Sequence, residues 1–240
     1  ALKLIIQRMP ATLELALFSL FISLIIAIPL GIYAGYKPES KTSKIIMGSS
    51  ILGFSMPTFW VGIIFIMVFA VYLGWLPSTG RGDIGTFLGI NSSLFTLNGL
   101  SHVFLPALNL ALFKISSVIR LTRAGTREII LQDYITFARS KGLSEKRIVL
   151  VHILKNILIP IVTVVGLEFG SLIAFSTVTE TVFAWPGMGK LIIDSIYNLD
   201  RPVIVAYLMI IVTFFVFLNL IVDILYTFLD PRVRIKGDSQ

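Results

Sequence analysis

Long apolar stretches are the feature of this chain that most restricts what it can fold into. Residues 15–32 are dominated by Leu, Ile, Phe and Ala, and four further apolar stretches follow. At about 1.5 Å of rise per residue, a helix of this length crosses a hydrocarbon core of about 30 Å. Only 14% of the residues are charged, and the mean hydropathy is +0.91, values that are not typical of soluble domains. The sequence therefore predicts an all-α, polytopic membrane protein.

Five transmembrane helices are predicted. Near the end of the first, Pro29, Gly31 and Gly35 allow a kink or a close helix crossing. Glu14 and Asp223 lie near span ends, where solvation at the membrane interface is expected. The predicted parts are an outer interfacial segment at 1–10, spans at about 11–36, 45–76, 102–121, 153–179 and 203–229, and a cytoplasmic tail at 231–240.

The distribution of lysine and arginine predicts the orientation. Of the 20 basic residues, 14 lie in loop 37–44, segment 120–155 and the tail, whereas 5 lie on the other side and Lys114 lies within a span. Cytoplasmic loops carry the excess of basic residues, so these three segments and the C-terminus are predicted to be cytoplasmic. Five spans then leave Ala1 outside, which predicts that an earlier span precedes it.

Residues 131–160 form the longest strongly polar interval, and its pattern predicts two helices joined by a sharp turn. Gly142 is expected to end the first helix, and Ser144 is expected to cap the second, with Glu145 in its first turn. One amphipathic face of the first helix is predicted by the spacing i, i+3, i+4, i+7 of Tyr134, Phe137, Ala138 and Lys141. Such a cytoplasmic helix pair between two spans is typical of a docking element for a soluble partner.

Several kinds of chemistry are excluded or not expected. The chain has no cysteine, and its two histidines, His102 and His152, have no metal-ligand spacing. The nearest match to a P-loop, AWPGMGKL at 184–191, lacks the first glycine and the Ser or Thr that follows the lysine. We therefore expect no catalytic residue, metal site or cofactor in this chain, and no nucleic-acid partner. If ATP drives the protein, another chain binds it.

Four motifs carry a resemblance to a known family. The run DYITFARSKGLSEKRIVLVHILKNILIP resembles the cytoplasmic coupling motif of permease subunits of bacterial binding-protein-dependent ABC importers. RMPATLELAL, TETVFAWPGMGKLIIDSI and LDPRVR resemble the same family, in order along the chain. The general motif reads Glu-Ala-Ala, three residues, then Gly. Here Thr136, Phe137 and Ala138 precede Gly142, which is similar to the first (B-type) permease of the peptide and nickel importers.

The resemblance implies a fold and a set of partners. The fold is that of type I ABC importer permeases, which normally has six spans, so one N-terminal span is missing here. The implied partners are a second related permease in a heterodimer, two ATP-binding subunits that carry ATP and Mg, an extracytoplasmic substrate-binding protein and membrane lipid. The implied location is the bacterial plasma (inner) membrane. The implied substrates are di- or oligopeptides, or a nickel chelate, glutathione or an oligosaccharide.

The resemblance also implies how the chain contacts its ATPase. The helix around 133–142 would lie in a groove of an ATP-binding subunit, with aromatic and alanine side chains buried there and charged ones beside them. The alternative is a loop that folds back on its own helices. The implied contact residues are Asp133, Tyr134, Phe137, Ala138, Arg139, Lys141 and Gly142.

Two further groups are candidate functional residues. Ionisable groups within spans are functional candidates, and Glu168 either lines the pathway or pairs with Lys114. Ser171 and Thr177 are further pathway candidates. The second group lies in the outer loop and forms either a gate and binding-protein contact or only an anchored turn; it comprises Phe183, Trp185, Pro186 and Gly187.

Two rival functions remain open at this level. An ion-coupled secondary transporter would need an internal ion site and no docking helix. An intramembrane enzyme would need a serine and His102 or His152 together inside a span, and neither histidine sits inside a span with a serine partner nearby.

Overall fold

The computed structural model describes residues 1–229, without the side chains of Leu167, Asp223 and residues 225–229. The predicted tail 231–240, the LDPRVR run after Leu229 and the expected solvation of Asp223 therefore lie outside the described residues.

Helices make up most of the described chain, because a helix satisfies every internal backbone N–H and C=O group where no water is available. One short antiparallel hairpin, β1 (Gly85–Phe87) with β2 (Ile90–Ser92), is also present. The α-helices are α1 (Leu2–Tyr36), α2 (Lys41–Ser55), α3 (Thr58–Phe65), α4 (Leu97–Ile130), α5 (Asp133–Ser140), α6 (Glu145–Arg147), α7 (Leu154–Val182), α8 (Met188–Tyr197) and α9 (Arg201–Leu229). Two π-helical segments continue them, Ile66–Tyr72 after α3 and Ile148–Ile153 between α6 and α7.

Within the described residues, four helical stretches are long and apolar enough to cross a membrane, or five if α2 and α3 together form one broken span. The predicted second span, 45–76, is divided at Pro57. Proline lacks an amide hydrogen and restricts the residue before it, here Met56, to an extended conformation. The helix therefore stops at Ser55 and starts again at Thr58.

Two other helices are longer than the spans predicted for them. The predicted interfacial segment 1–10 and the first span form one helix, α1, which continues through Pro10. The predicted third span, 102–121, is part of the 34-residue α4. Helix α4 continues through Lys114, whose side chain is buried.

Contacts group the described chain into two units. The first unit contains Ala1–Ser23, Phe54–Lys114 and Phe169–Phe215. Part of its core is a cluster in which Ile5 of α1, Met188 and Ile192 of α8, and Tyr207 of α9 are all buried.

The second unit contains Leu24–Gly53, Ile115–Glu168 and the chain from Val216 onward. Here α1 and α4 approach closely. A Cβ atom on Gly31 would lie 2.5 Å from Cβ of Thr122, and one on Gly35 would lie 2.6 Å from Cβ of Thr126. The close helix crossing predicted from these two glycines is confirmed.

We predict that Gly31→Ala and Gly35→Ala each destabilise the protein, because the added methyl group has no space against α4. Overpacking of this kind costs about 1–3 kcal/mol. Thermal unfolding in detergent measures the effect. Gly48→Ala is the matched control: its Cβ would meet nothing within 4 Å, and Ala is the better helix former. An unchanged melting temperature for the Gly31 and Gly35 variants would contradict this packing.

Candidate coupling segment and polar clusters

The predicted helix-turn-helix is confirmed. Helix α5 ends at Ser140, and Gly142 follows with φ of +77°, in the left-handed region that favours glycine. Ser144 then has the extended backbone of an N-cap residue, but its side chain makes no capping hydrogen bond; Glu145 occupies the first turn of α6. Arg139 lies in the last turn of α5. The helix dipole favours a positive charge at a C-terminus, where Arg139 lies, and a negative charge at an N-terminus, where Glu145 lies.

Helix α5 has one face against its own chain and one face exposed. Ile135 is fully buried and Ala138 is 5% exposed, and α5 packs on the segment Ile148–Ile153. Phe137 is 60% exposed, and Nζ of Lys141 lies 4.5 Å from the centre of its ring. The side chain of Ala138, a predicted partner contact, thus packs inside its own chain and offers little surface to a partner. Asp133, Tyr134, Arg139, Lys141 and Gly142 are exposed like Phe137.

Glu145 joins α5 to two other helices. Nε of Arg139 donates to Oε1 of Glu145 at 3.1 Å, and the hydroxyl of Tyr36, at the end of α1, donates to Oε2. These three residues form what we call the Glu145 clasp. The hydrogen bonds to Glu145 and Tyr36 raise the pKa of the Arg139 guanidinium. Arg139, a predicted partner contact, is therefore already held within its own chain.

A polar cavity adjoins the start of α5. Nδ2 of Asn156 donates to the hydroxyl of Tyr134 at 3.2 Å, and partial burial raises the pKa of that hydroxyl. The cavity has a volume of about 440 Å³ and is lined by Gly125, Glu128, Ile129, Gln132, Tyr134, Asn156, Ile157 and Pro160.

In the first unit, two pathway candidates are in contact. Nζ of Lys114 donates to Oγ of Ser171 at 3.1 Å, and the Lys114 side chain is 6% exposed. Thr177 of this unit is half-buried on α7, and so is Glu168, which belongs to the second unit. The lysine borders an apolar cavity of about 100 Å³ whose other lining residues are Thr58, Leu110, Phe113, Leu172 and Phe175.

Glu180 is the centre of a buried polar cluster that the sequence did not indicate. Its Oε1 accepts from Oγ1 of Thr12 at 2.7 Å, and Ser176 Oγ lies 3.1 Å from the same oxygen. Its Oε2 accepts from the backbone N–H of Lys190 at 2.9 Å. The backbone N–H of Met188 in turn donates to Thr12 Oγ1 at 2.7 Å. Glu180 and Thr12 thus satisfy the free N–H groups of the first turn of α8.

The outer-loop candidates lie around this cluster. Phe183 and Trp185 are 1% and 0% exposed, and Nε1 of Trp185 donates to the carbonyl of Ala11 at 2.9 Å. Both rings are packed within the chain, as the anchored-turn alternative would require. Gly187 has no room for a side chain, since its Cβ would meet the Glu180 carboxylate. Pro186 is half-buried, and its carbonyl accepts from Arg8 at 3.3 Å.

A second buried cluster surrounds Glu14. Arg81 approaches its Oε2 at 2.5 Å, and the hydroxyl of Ser93 donates to its Oε1. The side chains of Glu14 and Arg81 are 5% and 13% exposed. The expected interfacial solvation of Glu14 is therefore wrong. A buried carboxylate requires such partners, because losing water without them costs several kcal/mol.

Among the residues that the structure describes, no group of His, Asp and Glu is arranged to hold a metal ion.

The sequence matches the family model described as "Binding-protein-dependent transport system inner membrane component" over residues 27–235. It is 40% identical over 238 residues to the di/tripeptide transport system permease protein DppB of Pseudomonas aeruginosa, covering 94% of this chain and 70% of that protein. It is 41% identical over 232 residues to the oligopeptide transport system permease protein AppB of Bacillus subtilis, covering 97% and 72%. For the dipeptide transport system permease protein DppB of Haemophilus influenzae, identity is 44% over 237 residues, covering 94% and 71%.

Solved structures share the fold. An inward-facing structure of the MetNI methionine ABC transporter matches with a TM-score of 0.73 and 17% identity, over 95% of this chain and 97% of that one. A crystal structure of an amino acid ABC transporter with histidines matches with a TM-score of 0.62 and 15% identity, over 93% of each chain. The all-α fold predicted from the sequence is confirmed.

We predict that Glu180→Gln destabilises the protein. The substitution replaces an oxygen that accepts from Thr12 or from the N–H of Lys190 by an NH₂ group, and a buried donor left without an acceptor costs about 1–3 kcal/mol. Thermal unfolding and resistance to proteolysis in detergent measure the loss. The control is Glu39→Gln, whose carboxylate is 91% exposed and lies 3.8 Å from Lys44, since exposed pairs contribute at most about 1 kcal/mol. Equal stability of the two variants would contradict the role assigned to Glu180.

Proposed function

This chain belongs to the family of binding-protein-dependent transport system inner membrane components, and from that membership we propose that it is the permease subunit of an ATP-driven peptide importer. It forms part of the pathway for di- or oligopeptides and performs no catalysis itself. The observation that carries the substrate class is the 40–41% identity, over more than nine-tenths of this chain, to permeases named for di/tripeptide and oligopeptide transport.

The proposed coupling surface is the exposed face of α5. Tyr134 and Phe137 are large apolar side chains, 42% and 60% exposed, on a helix in a polar segment of the chain. Exposed aromatic residues flanked by charges are typical of protein interfaces. This face supports docking on an ATP-binding subunit, with Lys141 and Asp133 providing charged contacts at its edge. ATP and Mg are held by that partner.

The Glu145 clasp connects the proposed docking helix α5 to α1 and α6. A force applied to α5 reaches the end of α1 through Tyr36 and reaches α6 through Glu145, whose helix continues into α7. ATP-driven closure of two partner subunits moves these helices and changes which side of the membrane has access to the pathway. Lys114, Ser171, Thr177 and Glu168 are the proposed pathway residues.

The remaining partners follow from the family. The chain pairs with a second, related permease, acts with two ATP-binding subunits and receives substrate from an extracytoplasmic binding protein. Segment 131–152 and the C-terminal tail 231–240 are cytoplasmic, which the excess of basic residues in these regions supports. Residues 1–10 lie at the outer surface.

We predict that Phe137→Asp prevents stable assembly with the ATP-binding subunits and abolishes ATP-driven uptake. A carboxylate in a buried apolar contact loses its hydration without gaining a partner. Co-purification of the subunits and uptake of a labelled dipeptide into proteoliposomes test this. Thr136→Asp is the matched control, because Thr136 is an exposed neighbour that points away from the face of Tyr134, Phe137 and Lys141. Intact assembly and uptake in the Phe137 variant would overturn the proposed coupling role.

A further inference from the structure

The hairpin β1–β2 and the residues after it expose an apolar surface that the proposed function does not use. Residues 84–97 contain no charged residue. We define the hairpin surface by its exposed large apolar side chains, Ile84, Phe87, Leu88, Ile90, Phe95 and Leu97, which are between 47% and 89% exposed. An uncharged apolar surface of this kind is not expected to face bulk water.

The hairpin has two chemically different faces. Phe87 pairs with Ile90 in the ladder, and Thr86 pairs with Asn91. Successive side chains of a strand point to opposite faces, so one face presents Phe87 and Ile90, and the other presents Thr86 and Asn91. The polar pair is joined by a hydrogen bond of 2.6 Å between Oγ1 of Thr86 and Oδ1 of Asn91. The element is therefore amphipathic.

Leu88, at the tip of the hairpin, has a left-handed backbone conformation that leucine rarely adopts. It has φ of +50° and precedes Gly89 with φ of +79°, the pattern of a two-residue turn in which Asn-Gly fits without strain. Leu88 is 87% exposed. Turn chemistry alone does not account for an apolar side chain at this position.

The root of the hairpin is fixed near the predicted edge of the membrane. Arg81 before the hairpin and Ser93 after it both bind Glu14 of α1. Glu14 follows Ala11, where the predicted first span begins, by three residues, or about 4.5 Å along the helix axis. On the chain just before this root, Tyr72 and Trp75 are 76% and 69% exposed, as is typical of aromatic residues at the level of the lipid headgroups.

We propose that the hairpin lies in the interfacial layer of the bilayer, with the hairpin surface against lipid and the Thr86–Asn91 face toward water. Lipid is favoured over a second protein as the occupant because the root of the hairpin is bound to Glu14 near the predicted edge of the membrane. The exposed aromatic side chains of Tyr72 and Trp75, just before this root, are typical of the same interfacial layer. The proposal rests on the membrane location of the chain and not on its substrate.

The chain has no cysteine, so single nitroxide labels can be placed without first removing native thiols. We would label Leu88→Cys, Ile90→Cys and Asn91→Cys in the assembled transporter in lipid nanodiscs. Collision with oxygen, which concentrates in lipid, is compared with collision with a neutral nickel chelate, which stays in water. We expect the ratio of oxygen to nickel accessibility to be several-fold higher at 88 and 90 than at 91.

Two results would overturn the proposal. High nickel accessibility at all three positions would place the hairpin in water. Exclusion of both reagents at 88 and 90 would show that protein covers the hairpin surface. Positions 90 and 91 are adjacent on the same strand and point to opposite faces, so a difference between them reports the orientation of the hairpin itself. Co-elution of each labelled variant with its partner subunits establishes that the transporter is intact.

Discussion

The interior of a bilayer offers no hydrogen-bond partner, and the structure depends on this constraint. It requires helices wherever the backbone crosses the membrane, and it requires each buried polar side chain to find a partner within the protein. Glu180 meets this requirement through Thr12 and the backbone of the first turn of α8. Glu14 meets it through Arg81 and Ser93. Both carboxylates hold segments that are distant in sequence, and each cluster fixes a connection outside the long helices.

The two polar clusters of the first unit and the clasp of the second differ in exposure, and their roles differ accordingly. Glu180 is fully buried, so its loss affects the folded state as a whole. The side chains of Arg139 and Glu145 are 38% and 55% exposed, and such a pair contributes little to stability. The clasp is better suited to orienting α5 against α1 and α6 than to holding the fold together. Its place beside the exposed face of Phe137 connects it to the proposed docking of an ATPase.

Periodicity and local backbone chemistry made much of this molecule predictable. Hydropathy identified the long helices. Gly142 indicated the end of α5, because the backbone after the helix has a positive φ, which glycine adopts without strain. Pro57 is likewise a local backbone signal. It marked a disturbance in the second span, but it did not indicate whether the helix would bend or stop there. Ala138 shares a helical face with Phe137, and the family resemblance implied that both contact the partner. Its burial depends on the packing of α5 on Ile148–Ile153, which helical spacing does not reveal.

The polar clusters could not be predicted in the same way. Thr12 and Glu180 are 168 residues apart, and nothing in either segment alone indicates the other. Glu180 lies six residues before Pro186 and is separated from the start of α8 by the turn, so its sequence position alone does not show that it binds the free N–H groups of that helix. The burial of Trp185 could not be predicted, because buried and interfacial tryptophans look alike in a sequence. The partner of its indole is a carbonyl of α1, 174 residues away.

As proposed above, this chain moves peptide across the membrane with energy from ATP that a partner subunit hydrolyses. The direct test is uptake of a labelled dipeptide into proteoliposomes that contain the complete transporter and its binding protein, with either Mg-ATP on the ATPase side or an imposed ion gradient as the energy source. The account predicts uptake with Mg-ATP, none with the gradient alone, and none with a non-hydrolysable ATP analogue. Uptake driven by the ion gradient without ATP would contradict it.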